Sequence, residues 1–543
     1  MEDRALSALG LLWQSSPEPV ISKNGVVLVD LMHGNTELLL RNLVVAKFVQ
    51  RVTGKRLVGI LGSPGVVTRS TEVNTESNRR LADAFGISTI VEVPAEFAVP
   101  ETEETAFADM AAVAASADNG MPLPDSLQDQ ALCGVRTGDG FRIGRIVKST
   151  FMRSELQAVV LAGERLTHWA GHVLGFDHWV QSLIAEHEPA VLVTGHIDYC
   201  PWEHLAERLV RTGVRVVWYR CDARIPIVLI DDLDSEETLN GRVRRIEQEA
   251  FAAFEARLAG DPALAERWTQ SALMRARAVR NGLARHWRWV TLPDDTERDF
   301  GFGEARTTYV LFTHTFTDQP VADTALFTDY TDWLESTLQH AVQTQAYNLI
   351  VKVHPFDPYY DVSGTAGRLA ERFGGHDNIR FVWEPIPPEV FLRTCAAAIT
   401  VRGTPGIEMS MQGLPVILAG QGPYSGIGFC LRPETREAYF DLLEQGPPFP
   451  ANMEEQSRRA VLYQAFDRFW TAPATPLSPA FTGRPPDDAF WNMIENATRL
   501  AVPDTDPLYL ALLRAWPRRN AKVAAVEFET ALAGPPSAAP DAC

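Results

Sequence analysis

The fold of this chain is decided by the stretch from Ile350 to Gly422, which reads IVKVHPFDPYYDVSGTAGRLAERFGGHDNIRFVWEPIPPEVFLRTCAAAITVRGTPGIEMSMQGLPVILAGQG. Its short apolar runs are rich in β-branched residues and end at Gly or Pro, which is typical of strands buried on both faces. Between these runs lie helical patterns, over residues 365–373, 388–395 and 405–412. Strands that alternate with helices predict a parallel sheet with crossover helices, and such sheets bind ligands at the carboxyl ends of their strands.

Polar residues follow the ends of two of these strands. In chain order they are Lys352, His354, Arg402, Gly403, Thr404 and Glu408. Imidazole and guanidinium groups can donate to a phosphate, and the free amides of a Gly403–Gly406 turn that enters a helix at Pro405 predict an anion site. Glu408, about one turn further on, can accept hydrogen bonds from ribose hydroxyls. Each residue alone also fits a plain turn or strand end, but their order within one half-sheet favours a phosphorylated ligand.

This order of motifs resembles the donor half of the GT-B glycosyltransferases, and most of all their capsule polysaccharide and Kdo-transferase-like branch. Teichoic acid glycerophosphotransferases are also similar. The resemblance covers residues 305–430 and rests on Lys352, His354, Pro355, Gly403, Thr404, Glu408, Gly413, Pro415, Val416, Gly420 and Tyr424. It implies an α/β fold of two Rossmann-like domains facing across a cleft, a nucleotide-sugar donor on the C-terminal domain, with Tyr424 among its contacts, and no required metal. Arg402 lies outside the matched pattern, and related sequences often have serines at Gly403-Thr404.

At 543 residues the chain is too long for one ordinary core, so several domains are expected. Further strand and helix patterns in the N-terminal half predict a second α/β unit there. The predicted organisation is an N-terminal Rossmann-like acceptor domain (1–295) with a flap (95–140) and a helical segment (235–288), a C-terminal Rossmann-like donor domain (306–430), C-terminal helices that pack back on the domains (431–534) and a disordered tail (535–543).

Composition excludes several classes of protein. The net charge of −19, from 50 basic and 69 acidic residues, argues against a nucleic-acid partner. Six scattered cysteines indicate neither a disulfide framework nor a zinc site. The N-terminus lacks a signal-peptide core, and no apolar run approaches the roughly 20 residues that span a bilayer. A cytoplasmic protein is expected, and contact with a lipid-linked acceptor would be peripheral. Nothing in the sequence indicates the oligomeric state.

One acidic run, Asp231-Asp232-Leu233-Asp234, suggests a cation site. A long helical pattern begins directly after it, however, and acidic side chains favour a helix N-terminus. The run is therefore interpreted as a helix start, and no metal residue is predicted.

The candidate catalytic base is His33, which follows the first strand of the N-terminal half. An imidazole suits proton transfer, and Met32-His33-Gly34 resembles the His-Gly turn of related transferases. Asp30 can orient His33 or act in its place, whereas His196 and Asp198, at another strand end, are interpreted as packing residues. His314 occupies the first strand-to-helix loop of the second domain and is a candidate donor-binding residue. A capping or packing role for His33 stays open.

Together these features predict a glycosyltransferase that moves a sugar from a nucleotide-sugar, its substrate rather than a bound cofactor, to a surface polysaccharide or glycolipid acceptor. Two alternatives remain at this point. A sugar-nucleotide epimerase or hydrolase would use the same fold without an acceptor, and a non-catalytic assembly or sensing subunit would keep the fold without the chemistry.

Overall fold

The computed structural model describes residues 1–15, 22–62, 74–222, 224–280, 297–302, 306–320, 326–447, 453–482 and 485–525. The predicted tail at 535–543 lies outside these residues. The strands are β1 Ser22–Leu31, β2 Lys55–Leu61, β3 Ile90–Glu92, β4 Pro189–Thr194, β5 Arg215–Tyr219, β6 Ile227–Ile230, β7 Thr307–Phe312, β8 Tyr347–Lys352, β9 Ile379–Val382, β10 Ala397–Thr400, β11 Val416–Leu418 and β12 Ala521–Lys522.

The N-terminal sheet has seven strands in the order β12-β6-β5-β4-β1-β2-β3. Strands β5, β4, β1, β2 and β3 run parallel, while β6 is antiparallel to both β5 and β12. Helices cover both faces, so successive residues of β1 enter different cores. Leu28 packs into one core and Val29 into the other, and both are fully buried. This explains why β1 is a continuous apolar run rather than an alternating one.

The C-terminal sheet has five parallel strands in the order β11-β10-β7-β8-β9. Its central strands are buried on both faces in the same way, with Ile350 in one core and Val351 in the other. Two parallel sheets with crossover helices confirm the predicted fold class, α/β with two Rossmann-like domains.

The α-helices follow the strands in the expected alternation. They are α1 Glu2–Ser15, α2 Thr36–Thr53, α3 Thr75–Ala84, α4 Glu104–Ala114, α5 Ile143–Glu155, α6 Glu164–His187, α7 His204–Arg211, α8 Leu239–Ala259, α9 Pro262–Arg280, α10 Tyr330–Thr344, α11 Asp357–Tyr360, α12 Thr365–Phe373, α13 Pro388–Thr394, α14 Pro405–Met411, α15 Arg436–Gln445, α16 Met453–Ala465, α17 Asp488–Leu500 and α18 Pro507–Ala515. Short 3-10 or π turns cover Glu101–Glu103, Leu127–Leu132, Tyr199–Glu203, Phe466–Trp470 and Pro503–Thr505. Within the described part of the chain, every helix is too short or too polar to cross a membrane.

Residues 95–140, predicted to be a flap, pack on the first domain. Helix α4 packs on α6, and Met110 and Leu132 are fully buried in the same core as the first sheet. The acidic, Gly and Pro residues that suggested an irregular segment lie between these buried apolar residues. Burial of Met110 and Leu132 holds the segment on the first domain.

Two further segments join the domains. Helix α8 enters the first core with Leu239 and Val243, and its second half enters the second core with Phe251 and Phe254. The C-terminal chain returns to the first domain, because α17 packs on α1, α18 packs on α2, and β12 pairs with β6.

Candidate active site

The carboxyl ends of strands from both sheets meet at one place. The residues found there are Asp30 and His33 after β1, His196 and Asp198 after β4, His314, Asp318 and Gln319 after β7, His354 after β8, and Arg402 after β10. A direct hydrogen bond joins the two domains at this site, since Gln319 Nε2 donates to Asp198 Oδ2 at 2.7 Å. Asn240 Nδ2 of α8 donates to the other carboxyl oxygen at 3.2 Å. Gln319 has a φ of +53°, a strained backbone of the kind often found at functional sites.

Rings stack on the N-terminal side of this site. The ring centroids of His196 and Trp202 are 4.7 Å apart, and those of His33 and Trp202 are 5.5 Å apart. Burial, with His196 and Arg153 nearby, lowers the pKa of His33 to about 3. Burial, with Arg153 nearby, lowers the pKa of His196 to about 4. Both imidazoles are therefore neutral at physiological pH.

Asp30 supports the strand ends rather than facing a ligand. Its carboxyl oxygens accept from the Met32 amide at 2.9 Å and from the Thr194 hydroxyl at 2.8 Å, and the residue is fully buried. Burial raises its pKa to about 6. The predicted role of Asp30 as an alternative base is therefore corrected to that of a brace between β1 and β4.

On the C-terminal side, His354, His314 and Arg402 are held close together. Burial, together with the nearby His314, lowers the pKa of His354 to about 4. His314 lies against the ring of Tyr330, with centroids 4.7 Å apart. The Tyr330 hydroxyl donates to the Gln319 carbonyl at 2.8 Å and is hydrogen-bonded to Arg402. Arg402 thus lies near His314, and His314 in turn lies near His354.

Lys352 lies at the β8–β9 side of this edge. Its Nζ donates to the carbonyls of Val353 at 2.7 Å and Trp383 at 3.4 Å. Burial lowers its pKa to about 8, while Glu384 opposes the shift. Lys352 is therefore mostly protonated at neutral pH. Its positive charge lies close enough to His354 to help lower the pKa of that imidazole.

The Gly403–Gly406 turn does not offer the row of free amides that was predicted. The Gly406 amide donates to Gly403 O at 3.0 Å, and the Glu408 amide donates to Thr404 O at 3.1 Å. The Gly403 amide approaches the Thr400 hydroxyl at 3.3 Å. Helix α14 spans only seven residues. Most amides of the turn are therefore hydrogen-bonded within the protein, which leaves few for an anion. Thr404 and Glu408 are both exposed beside the turn.

Tyr424 holds this turn from behind. Its hydroxyl donates to Gly403 O at 2.6 Å, and its side chain is buried at 3% exposure. Tyr424 is therefore a positioning residue for the turn that follows Arg402, and not the predicted donor contact.

Arg153 of α5 is a site residue that sequence reasoning missed. Its guanidinium lies 4.5 Å from the centre of the Tyr360 ring and 5.4 Å from that of the Tyr199 ring, so it spans the two domains. It also faces Asp318 electrostatically. A single arginine in a helical pattern carries no signal for such a role, because only the tertiary structure brings α5 to the second domain.

The acidic run at 231–234 is engaged with arginines. Asp231 pairs with Arg215 at 2.7 Å, Asp232 with Arg242 at 3.0 Å, and Asp234 with Arg245 at 2.7 Å. Among the described residues, no group of three or more His, Cys, Asp or Glu side chains is arranged to hold a metal ion.

Asp357, the first residue of α11, gives a pH-dependent prediction. The residue is 5% exposed, its Oδ1 has no hydrogen-bond partner among the described residues, and burial raises its pKa to about 7. Because the folded pKa exceeds the unfolded one, this stabilising contribution is full at low pH and is lost as pH rises through about 7. The unfolded carboxyl already ionises near a pKa of about 4, so part of this effect is present at about pH 5.5. Asp357→Asn is therefore expected to raise the free energy of unfolding by about 1–2 kcal/mol more at about pH 8.5 than at about pH 5.5.

Urea unfolding at both pH values measures this effect. Asp377→Asn, at an exposed carboxylate on the same domain, is the matched control and should show no such difference. An equal loss of stability for Asp357→Asn at both pH values would contradict the prediction.

Comparison with known proteins adds to this geometry. Residues 272–452 match the family of capsule polysaccharide biosynthesis proteins. A comparison with curated proteins gives no match. Among solved structures, the chain is similar to Thermosulfurimonas dismutans KpsC, a beta Kdo 2,4 transferase, with 14% identity and a TM-score of 0.33 over 56% of this chain and 87% of that one. It is also similar to the spinosyn rhamnosyltransferase SpnG, with 12% identity and a TM-score of 0.24 over 81% and 95% of the two chains. A structure of S. aureus MnaA with UDP is similar with 8% identity and a TM-score of 0.25, over 82% and 94%.

The family match includes all of residues 305–430, over which the sequence resembles the donor half of the GT-B glycosyltransferases. Two parallel-sheet domains whose strand ends meet are the arrangement that this resemblance implies. Residues 272–452 of the chain are therefore similar to capsule polysaccharide biosynthesis proteins.

Proposed function

We propose that this protein transfers a sugar from a nucleotide-sugar donor to a surface polysaccharide or glycolipid acceptor. The observation that carries the proposal is the meeting of strand ends, where Arg402 and His354 of one sheet lie opposite His33 and His196 of the other. Parallel sheets bind ligands at this edge. The match to capsule polysaccharide biosynthesis proteins supports a saccharide as the substrate class.

The donor would lie on the C-terminal domain, residues 306–430. When the bond between the anomeric carbon and the phosphate breaks, negative charge develops on the departing phosphate. Arg402 supplies a permanent positive charge, His354 a hydrogen-bond donor, and Lys352 a further charge nearby. Side chains would thus take the role that the sequence had assigned to the turn amides. Retention of transfer in the presence of EDTA would test the expectation that no metal is required.

The acceptor would lie on the N-terminal domain, residues 1–295, against the face formed by His33, His196 and Arg153. This face is aromatic and carries hydrogen-bonding groups, which suits a sugar with apolar ring faces and polar edges. A cytoplasmic location, with peripheral membrane contact for a lipid-linked acceptor, belongs to the same proposal.

Calorimetric titration tests the donor half of the proposal. UDP, CMP, GDP and dTDP are titrated against the wild type, and the nucleotide that binds is titrated against His354→Ala. Loss of a charge-assisted phosphate contact is expected to weaken binding at least about tenfold, or about 1.4 kcal/mol.

His178→Ala is the matched control, since His178 is an exposed histidine of α6 outside the site, and it should bind like the wild type. Equal affinity of His354→Ala and the wild type would overturn the donor assignment. Release of free nucleotide from the nucleotide-sugar without any acceptor would point instead to the epimerase or hydrolase alternative.

A further inference from the structure

Three imidazoles of the site share one hydrogen-bond pattern. The backbone amide two residues further on donates to Nδ1 in each case: Asn35 to His33 at 2.9 Å, Asp198 to His196 at 3.3 Å, and Phe356 to His354 at 3.2 Å. A backbone amide can only donate, so each Nδ1 must be unprotonated. A neutral imidazole then keeps its single hydrogen on Nε2.

His314 has the opposite pattern. Its Nδ1 lies 3.1 Å from the carbonyl oxygen of Thr315, which can only accept. The hydrogen of His314 is therefore on Nδ1, and Nε2 is the acceptor atom. Backbone hydrogen bonds thus fix the tautomers of the four imidazoles. His33, His196 and His354 can donate from Nε2, whereas His314 can accept at Nε2.

A direct displacement by an acceptor hydroxyl needs a group that can take up the hydroxyl proton. His33 in its neutral form already carries a hydrogen on Nε2, while Nδ1 is occupied by the Asn35 amide. His196 is not available as the base, because its Nε2 is hydrogen-bonded to the Tyr199 hydroxyl at 3.1 Å. His354 has the donor form that suits a departing phosphate.

We propose that His314 is the general base of the transfer and that His33, the base predicted from sequence, is a hydrogen-bond donor to the substrate. This inference rests on the proposed function. The proton of the acceptor hydroxyl passes to Nε2 of His314, and the acceptor oxygen bonds to the anomeric carbon. The bond from that carbon to the phosphate oxygen breaks, and its electron pair leaves with the nucleotide, which accepts hydrogen bonds from His354 and Arg402.

The surroundings of His314 are consistent with this step. Four groups lie near its ring: the aromatic ring of Tyr330, the Asp318 carboxylate, the Arg402 guanidinium and the imidazole of His354. Asp318 can stabilise the imidazolium that forms, as the third group of a nucleophile–base–orienter arrangement does. Arg402 opposes that charge, so His314 would release the proton readily to solvent once the charged nucleotide has left.

The first experiment reads the tautomers without reference to activity. Protein labelled with 15N-histidine is compared by long-range proton–nitrogen spectra with the single variants His33→Gln, His314→Gln and His354→Gln, which assign the signals. We expect the Nε2–H form for His33 and His354 and the Nδ1–H form for His314. An Nε2–H form of His314 would overturn the inference, whatever the protein catalyses.

The second experiment measures transfer with a nucleotide-sugar that binds the wild type. His314→Gln removes the basic nitrogen and is expected to lower kcat by about 10²-fold or more, while KM for the donor stays within about threefold. His33→Gln keeps an N–H at the position of Nε2 and is expected to retain more transfer than His33→Asn, whose amide is one bond shorter.

The outcomes separate the two proposals. Transfer that persists in His314→Gln but is lost in His33→Gln would overturn the assignment of the base and leave the glycosyltransferase proposal intact. If the wild type transferred no sugar from a nucleotide-sugar whose nucleotide it binds, both the glycosyltransferase proposal and the assignment of His314 as the base would be overturned.

Discussion

Replacing Lys522 with methionine is expected to lower the free energy of unfolding by about 3–5 kcal/mol, because it leaves the buried Glu247 carboxylate without its cation. Lys522 is the last residue of β12 and its side chain is fully buried. Its Nζ lies 2.6 Å from Glu247 Oε1 and 3.4 Å from Asp467 Oδ1. Glu247 belongs to the bridging helix α8, and Asp467 follows α16, so one cation joins three segments that are distant in sequence.

The other members of this cluster remain in place in the variant. Arg220 contacts Asp467 at 2.6 Å, and the Tyr463 hydroxyl donates to Glu247 at 3.0 Å. Neutralising the stranded acid should therefore restore part of the stability, and the double variant Lys522→Met/Glu247→Gln is expected to be more stable than Lys522→Met.

Urea unfolding at neutral pH measures these differences. Arg519→Ala is the control, since Arg519 forms an ion pair with Asp232 near the same strand but its side chain is 70% exposed. An exposed pair of this kind is worth about 0–1 kcal/mol. If Lys522→Met were no more damaging than Arg519→Ala, the cluster would not hold the C-terminal chain on the first domain.

The strands that could be predicted from the sequence are those whose own residues are mostly aliphatic, so that local composition alone indicates a buried strand. β1, β4 and β8 are runs of aliphatic residues closed by polar ones, and nothing in their neighbourhood competes with that pattern. β12 is different, since its two residues pair with β6 from the far end of the chain. Its own residues carry no strand pattern, because β12 forms only by pairing with the edge strand β6, which is distant in sequence.

The location of the site was predictable for a related reason. In a parallel sheet, the residues that follow the strands share one edge, so His354 after β8 and Arg402 after β10 were expected at the same edge. Strand β7, which carries His314 at its end, lies between them. Their chemical roles were not predictable. Whether an amide in a turn is free, or which imidazole nitrogen carries the hydrogen, depends on hydrogen bonds whose geometry only the folded backbone fixes.

Gly406→Ala is expected to cost about 2–3 kcal/mol of stability and to weaken nucleotide binding as well. A Cβ at this position would overlap the Tyr424 hydroxyl and lie 2.8 Å from Tyr424 Cζ. The Tyr424 ring is buried and stacks on Phe429 with centroids 5.6 Å apart, so it has little room to withdraw. Displacing it would break its hydrogen bond to Gly403 O and release the turn directly after Arg402.

Gly367→Ala is the matched control, because Gly367 also lies in a helix after a strand of the same sheet and a Cβ there meets nothing within 4 Å. That substitution is expected to stabilise the protein by about 0.5–1 kcal/mol, as alanine does in an unobstructed helix. Removing the obstructing hydroxyl in Gly406→Ala/Tyr424→Phe relieves only the overlap with Oη, so partial recovery of stability is expected without recovery of nucleotide affinity. Were Gly406→Ala to behave like Gly367→Ala in both urea unfolding and calorimetry, Tyr424 would not be what positions Arg402.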